Sequence, residues 1–202
     1  MDLVALTRSN QVQALAHLNQ DQVNALTQEF QSWYDEPNTE ARRRIRGRHW
    51  LIFLILRFTG ARLGGVLLLK ESDIDYRTGD IKLITLKRKR RPYRYVPVPL
   101  NVTSEIARYL VDHYEMRDSI FCMDPSNFRK VLRARAECAK IPESLAHPHI
   151  LRHTRAFELL RSGVSVTSVQ TLLGHASLIT TALYLKASGV ELRRELVDRG
   201  ML

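Results

Sequence analysis

Apolar residues recur at helical spacing through most of this chain and at strand spacing in one short stretch. Val23, Leu26, Phe30 and Trp33 fall on one helical face, with Asn19 placed to cap the helix. Pro37 breaks it within the turn-like run Asp35-Glu36-Pro37-Asn38. Arg42–Arg48 is rich in arginine and leads into Trp50–Phe58, a strongly apolar helix ended by Thr59-Gly60, where glycine suits a left-handed terminating residue. Residues 62–70 predict another short helix. The pattern changes at Asp73. Ile74, Ile81, Leu83, Ile84, Leu86, Tyr93, Tyr95, Val96 and Val98 favour strands. Gly79-Asp80 reads as a tight turn, Lys87–Arg94 as a charged hairpin tip, and Pro97 and Pro99 as the end of the sheet, since proline cannot donate to the ladder. From Asn101 the stripes Ile106, Leu110, Tyr114 and Phe128, Val131, Leu132, Ala136 are helical. Leu151–Leu160, Val166–Leu173 and Ile179–Leu185 follow, separated by Gly163 and Gly174. The expected class is mainly α with a small antiparallel β-sheet (α+β) across residues 72–98. A single domain is expected from residue 18 onward, after a short N-terminal appendage over residues 1–17.

The length, 202 residues, agrees with one full domain plus an appendage. The net charge of +10 points to a polyanion as partner. The longest apolar run, Trp50–Leu56, falls far short of the roughly 20 residues of a membrane span, so no membrane partner is expected. The N-terminus lacks the basic start and apolar stretch of a signal peptide. Cys122 and Cys138 cannot build a disulfide framework, and a reducing, cytoplasmic setting is the simpler reading.

Four pieces carry candidate chemistry. They are Thr59-Gly60-Ala61-Arg62, the basic tip Lys87-Arg88-Lys89-Arg90-Arg91, the box His149-Ile150-Leu151-Arg152-His153, and Leu173-Gly174-His175 with Tyr184 nine positions beyond the histidine. Each has an ordinary reading: a surface arginine, a solvated tip, a structural histidine, a core tyrosine with a bonded hydroxyl. The tip is interleaved with Tyr93 and Tyr95, which suits a protruding hairpin that tracks phosphates or enters a groove. His149 and Arg152 share a helical face. His147, His149, His153 and His175 would be the metal ligands, but HILRH lacks the glutamate of HExxH and the cysteines form no CxxC, so no metal site is expected. No GxSxG elbow of a serine hydrolase occurs.

Together these pieces resemble the catalytic domain of the tyrosine recombinase (phage integrase) family. TGAR at 59–62 matches its first arginine, His149–Thr154 its H-x-L-R-H-T box, and Leu173–His175 with Tyr184 its L-G-H box and tyrosine. The lead-in Leu18–Leu26, the strand entry Ser72–Asp75 and the sheet exit Val96-Pro97 fall in the family's order, so the resemblance spans about residues 18–190. It implies a recombinase or integrase that cleaves and rejoins double-stranded DNA through a 3′-phosphotyrosyl intermediate. Arg62 and Arg152 would clamp the phosphate, Tyr184 would be the nucleophile, and His149 and His175 would orient phosphate oxygens or share proton transfer. A hairpin lysine, Lys89 or Lys87, would protonate the leaving 5′-oxygen, a task for which arginine is too firmly protonated. No cofactor or metal is called for. Arg88, Arg90, Arg91, Tyr93 and Arg94 on the hairpin, with Arg42, Arg43 and Arg44, are the expected DNA contacts.

Two features depart from the family. Gly65 stands where its members usually carry a supporting glutamate, and no separate core-binding domain is expected before residue 18. The tail Val190–Arg199 reads as a short amphipathic helix that, by resemblance, packs on a neighbouring protomer, so self-association on DNA and a nucleoid-associated, cytoplasmic location are implied. The alternative is a transcription regulator, for example one responsive to a metal oxyanion, that uses this fold to hold DNA without strand exchange. A ribonuclease or topoisomerase-like relaxing enzyme of the same chemistry is a minor variant.

Overall fold

The first helix begins where the side chain of Asn19 accepts the Gln22 N–H at 2.8 Å and the Gln22 side chain accepts the Asn19 N–H at 3.0 Å, a reciprocal cap. This helix, α1 (Gln20–Asp35), buries Val23, Leu26 and Phe30, and the Phe30 ring stacks on Phe53 with centroids 4.3 Å apart. The computed structural model describes residues 16–36, 39–85, 93–174, 184, 196–197 and 200–201. Its order continues with α2 (Glu40–Thr59), α3 (Leu63–Val66), β1 (Ile74–Asp75), β2 (Asp80–Ile84), β3 (Tyr93–Pro97), α4 (Leu100–Asp112), α5 (Pro125–Cys138), α6 (Pro148–Arg161) and α7 (Val166–Leu173). The mainly helical class with its small antiparallel sheet is therefore as expected.

Helix α2 is the axis of the fold. From His49 to Leu56 every residue is buried, and α1, α4 and α6 pack around it. A helix apolar on all sides can be stable only inside such a sleeve. It starts earlier than its apolar run suggests, at Glu40, so Arg42, Arg43 and Arg44 are exposed helical residues rather than a lead-in. Residues 62–70 yield only the single turn α3. The stripe Ile106, Leu110, Tyr114 also needs correction. Helix α4 stops at Asp112, His113 leaves helical geometry at φ −135°, and Tyr114 is 73% exposed.

The sheet has the order β1-β2-β3, both pairs antiparallel. Ile81 faces Val96 and Leu83 faces Arg94 across β2 and β3. Cross-strand partners share a face, so Arg94 lies on the side that buries Ile81, Leu83 and Val96, while Tyr93 and Tyr95 stand on the other side, exposed. Helix α6 is tied to the segment just before α1, the Leu18 N–H donating 2.9 Å to Thr154 Oγ1. His17 stacks on Phe157 at 4.0 Å. A second apolar cluster joins Ala156, Phe157 and Leu160 of α6 to Val169 and Leu173 of α7 and to Tyr184.

Lys87, Arg88, Lys89, Arg90, Arg91, His175, Pro37, the appendage up to residue 15, Ile179–Leu185 apart from Tyr184, and most of Val190–Arg199 lie outside the described residues. Among the described residues no helix is long and apolar enough to cross a membrane.

Candidate active site

The site is built on the point where α2 ends. Thr59 is fully buried; its hydroxyl donates to the Ile55 carbonyl and accepts the Ala61 N–H at 3.1 Å. Gly60 takes the left-handed conformation, φ 59° and ψ 22°, and a Cβ there would come within 2.5 Å of Leu173 Cδ2. Only glycine lets the chain turn while α7 lies this close. The turn leaves the Gly60 carbonyl pointing at α6, where it accepts Arg152 Nη1 at 2.7 Å. The negative end of the α2 dipole thus faces a guanidinium. Arg62 emerges two residues later, half-buried.

Arg152 is 4% exposed, and its Nη2 has no hydrogen-bond partner among the described residues. Burial, then Arg62 and Arg94, pull its guanidinium down to about 10, opposed by Tyr184. Arg94 is also pulled down to about 10, by burial and then by Arg62. Both remain cations at neutral pH. Arg94 is held by two bonds, Nε to the Leu172 carbonyl at 2.8 Å and Nη1 to Thr85 Oγ1 at 3.0 Å. Among the described residues no carboxylate pairs with Arg62, Arg94 or Arg152, although Arg57 and Arg155 nearby share Glu158. A buried donor left unsatisfied costs about 1–3 kcal/mol, and more on a charged group. Cations gathered without counter-charge, one with an idle buried donor, form a receptor for an anion.

The Tyr184 hydroxyl lies within the electrostatic reach of Arg152 and Arg62. The residue is 3% exposed, its ring meets Phe157 edge-on at 5.7 Å, and its oxygen lies 2.6 Å from His153 Nδ1. Burial raises the phenol above its usual value, while Arg152 and then Arg62 pull it back down. Burial lowers His153 below its usual value, and His149, Arg152 and His17 lower it further. His149 is exposed one turn earlier on α6 and, with Arg129 and Leu63, lines a groove of about 380 Å³.

Of the expected site residues, Arg62, His149, Arg152 and Tyr184 come together here. Lys87, Lys89 and His175, with Arg88, Arg90 and Arg91, are outside the described residues. Arg94, expected as a DNA contact at the hairpin, is turned inward against α7. Tyr93 is 58% exposed, with the Lys82 amine 4.2 Å from its ring centroid. Arg42, Arg43 and Arg44 sit at the opposite end of α2. At 1.5 Å per residue, Arg44 is about 24 Å along the axis from Gly60. Arg44 pairs with Glu115 at 3.5 Å, and Arg43 shares a groove with Asp35, Glu40 and Asp112. The Gly65 departure has a steric counterpart, because a Cβ at that position would lie 3.0 Å from the Ile84 carbonyl of β2.

Sequence reasoning missed two members. Arg94 was signalled by strand alternation, having the parity of Val96. In the sequence His153 reads as part of its box and as one of the discarded metal ligands; its spacing of four from His149 puts both on one face of α6.

Comparison with known proteins agrees with this geometry. Residues 16–189 match the model of the phage integrase family. The tyrosine recombinase XerA of Thermococcus onnurineus is 32% identical over 73% of this chain and 54% of its own length. The tyrosine recombinase XerC of Staphylococcus saprophyticus is 29% identical over 83% of this chain and 58% of its own length. The chain thus spans little more than half of these relatives. A crystal structure of XerH site-specific recombinase bound to palindromic difH substrate, a post-cleavage complex, superposes with a TM-score of 0.73 at 25% identity, covering 89% of this chain and 52% of that one. The crystal structure of XerA recombinase gives 0.72 at 27% identity over 91% and 65%. A family match over most of the chain and the ordered convergence of its motif residues lead to one conclusion: this chain belongs to the phage integrase family.

Proposed function

We propose that this chain is the catalytic part of a site-specific recombinase that cleaves and rejoins double-stranded DNA through a 3′-phosphotyrosyl link. The observation that carries the reading is the placement of the Tyr184 hydroxyl within the field of Arg62 and Arg152, beside a buried guanidinium with an unused donor. A phosphodiester seated there would give its nonbridging oxygens to Arg62 and Arg152, which stabilise the charge that develops as the Tyr184 oxygen attacks phosphorus. His149 and His175 orient those oxygens. Lys89 or Lys87 protonates the departing 5′-oxygen, and keeping the bond energy in the phosphotyrosine lets the strands rejoin with no cofactor. Arg88, Arg90, Arg91 and Tyr93 follow the backbone of the duplex. The XerH complexes, described as bound to difH substrate, support DNA as the partner. Copies assemble on DNA through Val190–Arg199, and the protein works at the nucleoid.

The test is a pool of nicked duplexes with randomised sequence flanking the nick, followed by a denaturing gel. The chain should form a covalent protein–DNA adduct, and Tyr184→Phe should form none while retaining DNA binding within a few fold. Equal adduct from the Tyr184→Phe variant would remove Tyr184 as nucleophile, and binding without any adduct would leave a DNA-holding protein.

A further inference from the structure

We propose that His153 is the proton acceptor for Tyr184, taking the phenolic proton on Nδ1 as the tyrosine oxygen bonds to phosphorus. The inference rests on the recombinase reading and adds a residue to it. In the step, the bond from Tyr184 Oη to phosphorus forms and the bond from phosphorus to the 5′-oxygen breaks. The 5′-oxygen takes a proton from the hairpin acid, and the phenolic proton moves to His153. Rejoining runs the same transfers backwards.

Geometry is the first support. The 2.6 Å separation of Nδ1 and the phenolic oxygen lies within direct proton-transfer reach. The ring centroids are 5.4 Å apart at 44°, so the bond runs from ring edge to hydroxyl rather than through a stack. A protonated phenol donates to Nδ1 when the imidazole carries its own proton on Nε2, the arrangement the proposal assigns to this pair. Charge is the second support. The groups that act on His153 are His149 and Arg152 on its own helix and His17 from the segment before α1, while Arg152 and Arg62 act on its partner Tyr184. Burial first, then the Arg152 guanidinium and the neighbouring imidazoles, favour the neutral His153 ring, which is the form that can accept. Once protonated, His153 stands beside Arg152, and that repulsion returns the proton when the 5′-hydroxyl attacks the phosphotyrosine.

His153→Asn tests the proposal, because Asn places an acceptor oxygen near the position of Nδ1 but is not basic. Single-turnover adduct formation on the nicked pool is followed from pH 5 to 8, on ordinary duplexes and on duplexes with a bridging 5′-sulfur at the nick, which leaves without needing a proton. The wild-type rate should fall on the acid side as His153 takes up a proton. His153→Asn should lose that limb and be slower by about 10²-fold or more. The 5′-sulfur should not restore it. A retained acid limb, rescue by sulfur, or faster adduct formation in His153→Ala would each overturn the assignment. ¹⁵N-histidine NMR of the wild type supplies a measurement that needs no folded His153 variant. Nδ1 of His153 should be unprotonated at pH 7 and its signal should move in Tyr184→Phe; a protonated Nδ1 overturns the proposal. Absence of adduct from the wild type would instead strike the recombinase reading, whereas normal adduct with an unaltered His153→Asn profile strikes His153 alone.

Discussion

Arg94 on β3 donates through Nε to the carbonyl of Leu172 at 2.8 Å, joining the foot of the basic hairpin to the last turn of α7. Its second bond, Nη1 to Thr85 Oγ1 at 3.0 Å, fixes the guanidinium plane. One side chain thus holds the strand that leaves the hairpin against the helix that leads to Gly174. The proposed acid lies in the segment before β3 and His175 follows Gly174, so the strut ties the described flanks of both together.

Arg94→Ala should therefore lower stability by about 2 kcal/mol, the scale of hydrogen bonds from a charged group. Adduct formation should fall by more than the lost folded fraction explains. Arg94→Lys should restore little, since one ammonium cannot reproduce two bonds from a planar fork. Thermal melting and adduct rates on the same preparations check this, and full recovery by lysine would reduce Arg94 to a charge.

Gly174→Ala tests the other end of the strut. Gly174 sits at φ 69° and ψ 43°, and a Cβ there would lie 3.1 Å from Arg94 Nη1 and 3.2 Å from its Cζ. The left-handed conformation alone costs about 1–2 kcal/mol for a residue with a Cβ. The variant should melt lower by that amount and also lose adduct rate through Arg94. Combined with Arg94→Ala, the two losses should be less than additive, because the residues share one contact.

Much of this arrangement was legible in the sequence, and the reasons are local. Asn19, Gly60 and Gly174 act through neighbours a few positions away, so the ends they mark are found where expected. The order of TGAR, the His149–Thr154 box and Tyr184 points to the candidate site because each motif carries its own chemistry. What escaped depends on longer reach. Tyr114 continues a helical stripe in sequence, but the chain leaves the helix at His113. Helix α2 extends back through Arg42, Arg43 and Arg44 because arginine is a good helix former even where no apolar face demands it. The pairing of His153 with Tyr184 spans 31 positions, and no local pattern announces it.

Arg152→Ala should reduce adduct formation by about 10²-fold or more, the scale of losing one donor at a charged transition state. It also removes the buried guanidinium that the Gly60 carbonyl receives at 2.7 Å. Melting of the free protein should change less than activity, because Arg152 lies buried with an unsatisfied Nη2 and two cationic neighbours. Unchanged cleavage would disprove the clamp.

Stability should also depend on pH through His49. This residue is buried, its Nδ1–H donates to the Ile45 carbonyl at 2.8 Å, and its Nε2 has no partner among the described residues. Burial lowers its pKa below the ordinary 6.5. The unfolded chain then takes up more protons as pH falls through that ordinary value, so stability declines, and the decline levels off below the depressed folded value. His153 has the same sign. Urea unfolding at successive pH values should show stability falling below pH 6.5, with a shallower fall in His49→Phe. An identical slope in the variant would place the proton uptake elsewhere.

Salt dependence separates the two arginine groups expected to meet DNA. Each phosphate neutralised by a cation contributes about 0.9 to the slope of log affinity against log salt. Replacing Arg88, Arg90 and Arg91 by alanine should lower that slope by about 2–3 if each meets a phosphate. Arg42→Ala, Arg43→Ala and Arg44→Ala combined should leave it nearly unchanged. These residues lie about 24–27 Å along α2 from Gly60, and Arg43 and Arg44 already face carboxylates of the same chain. An equal fall in slope for both sets would mean that the duplex runs along the whole length of α2, and a fall for the α2 set alone would return the hairpin to a solvated tip.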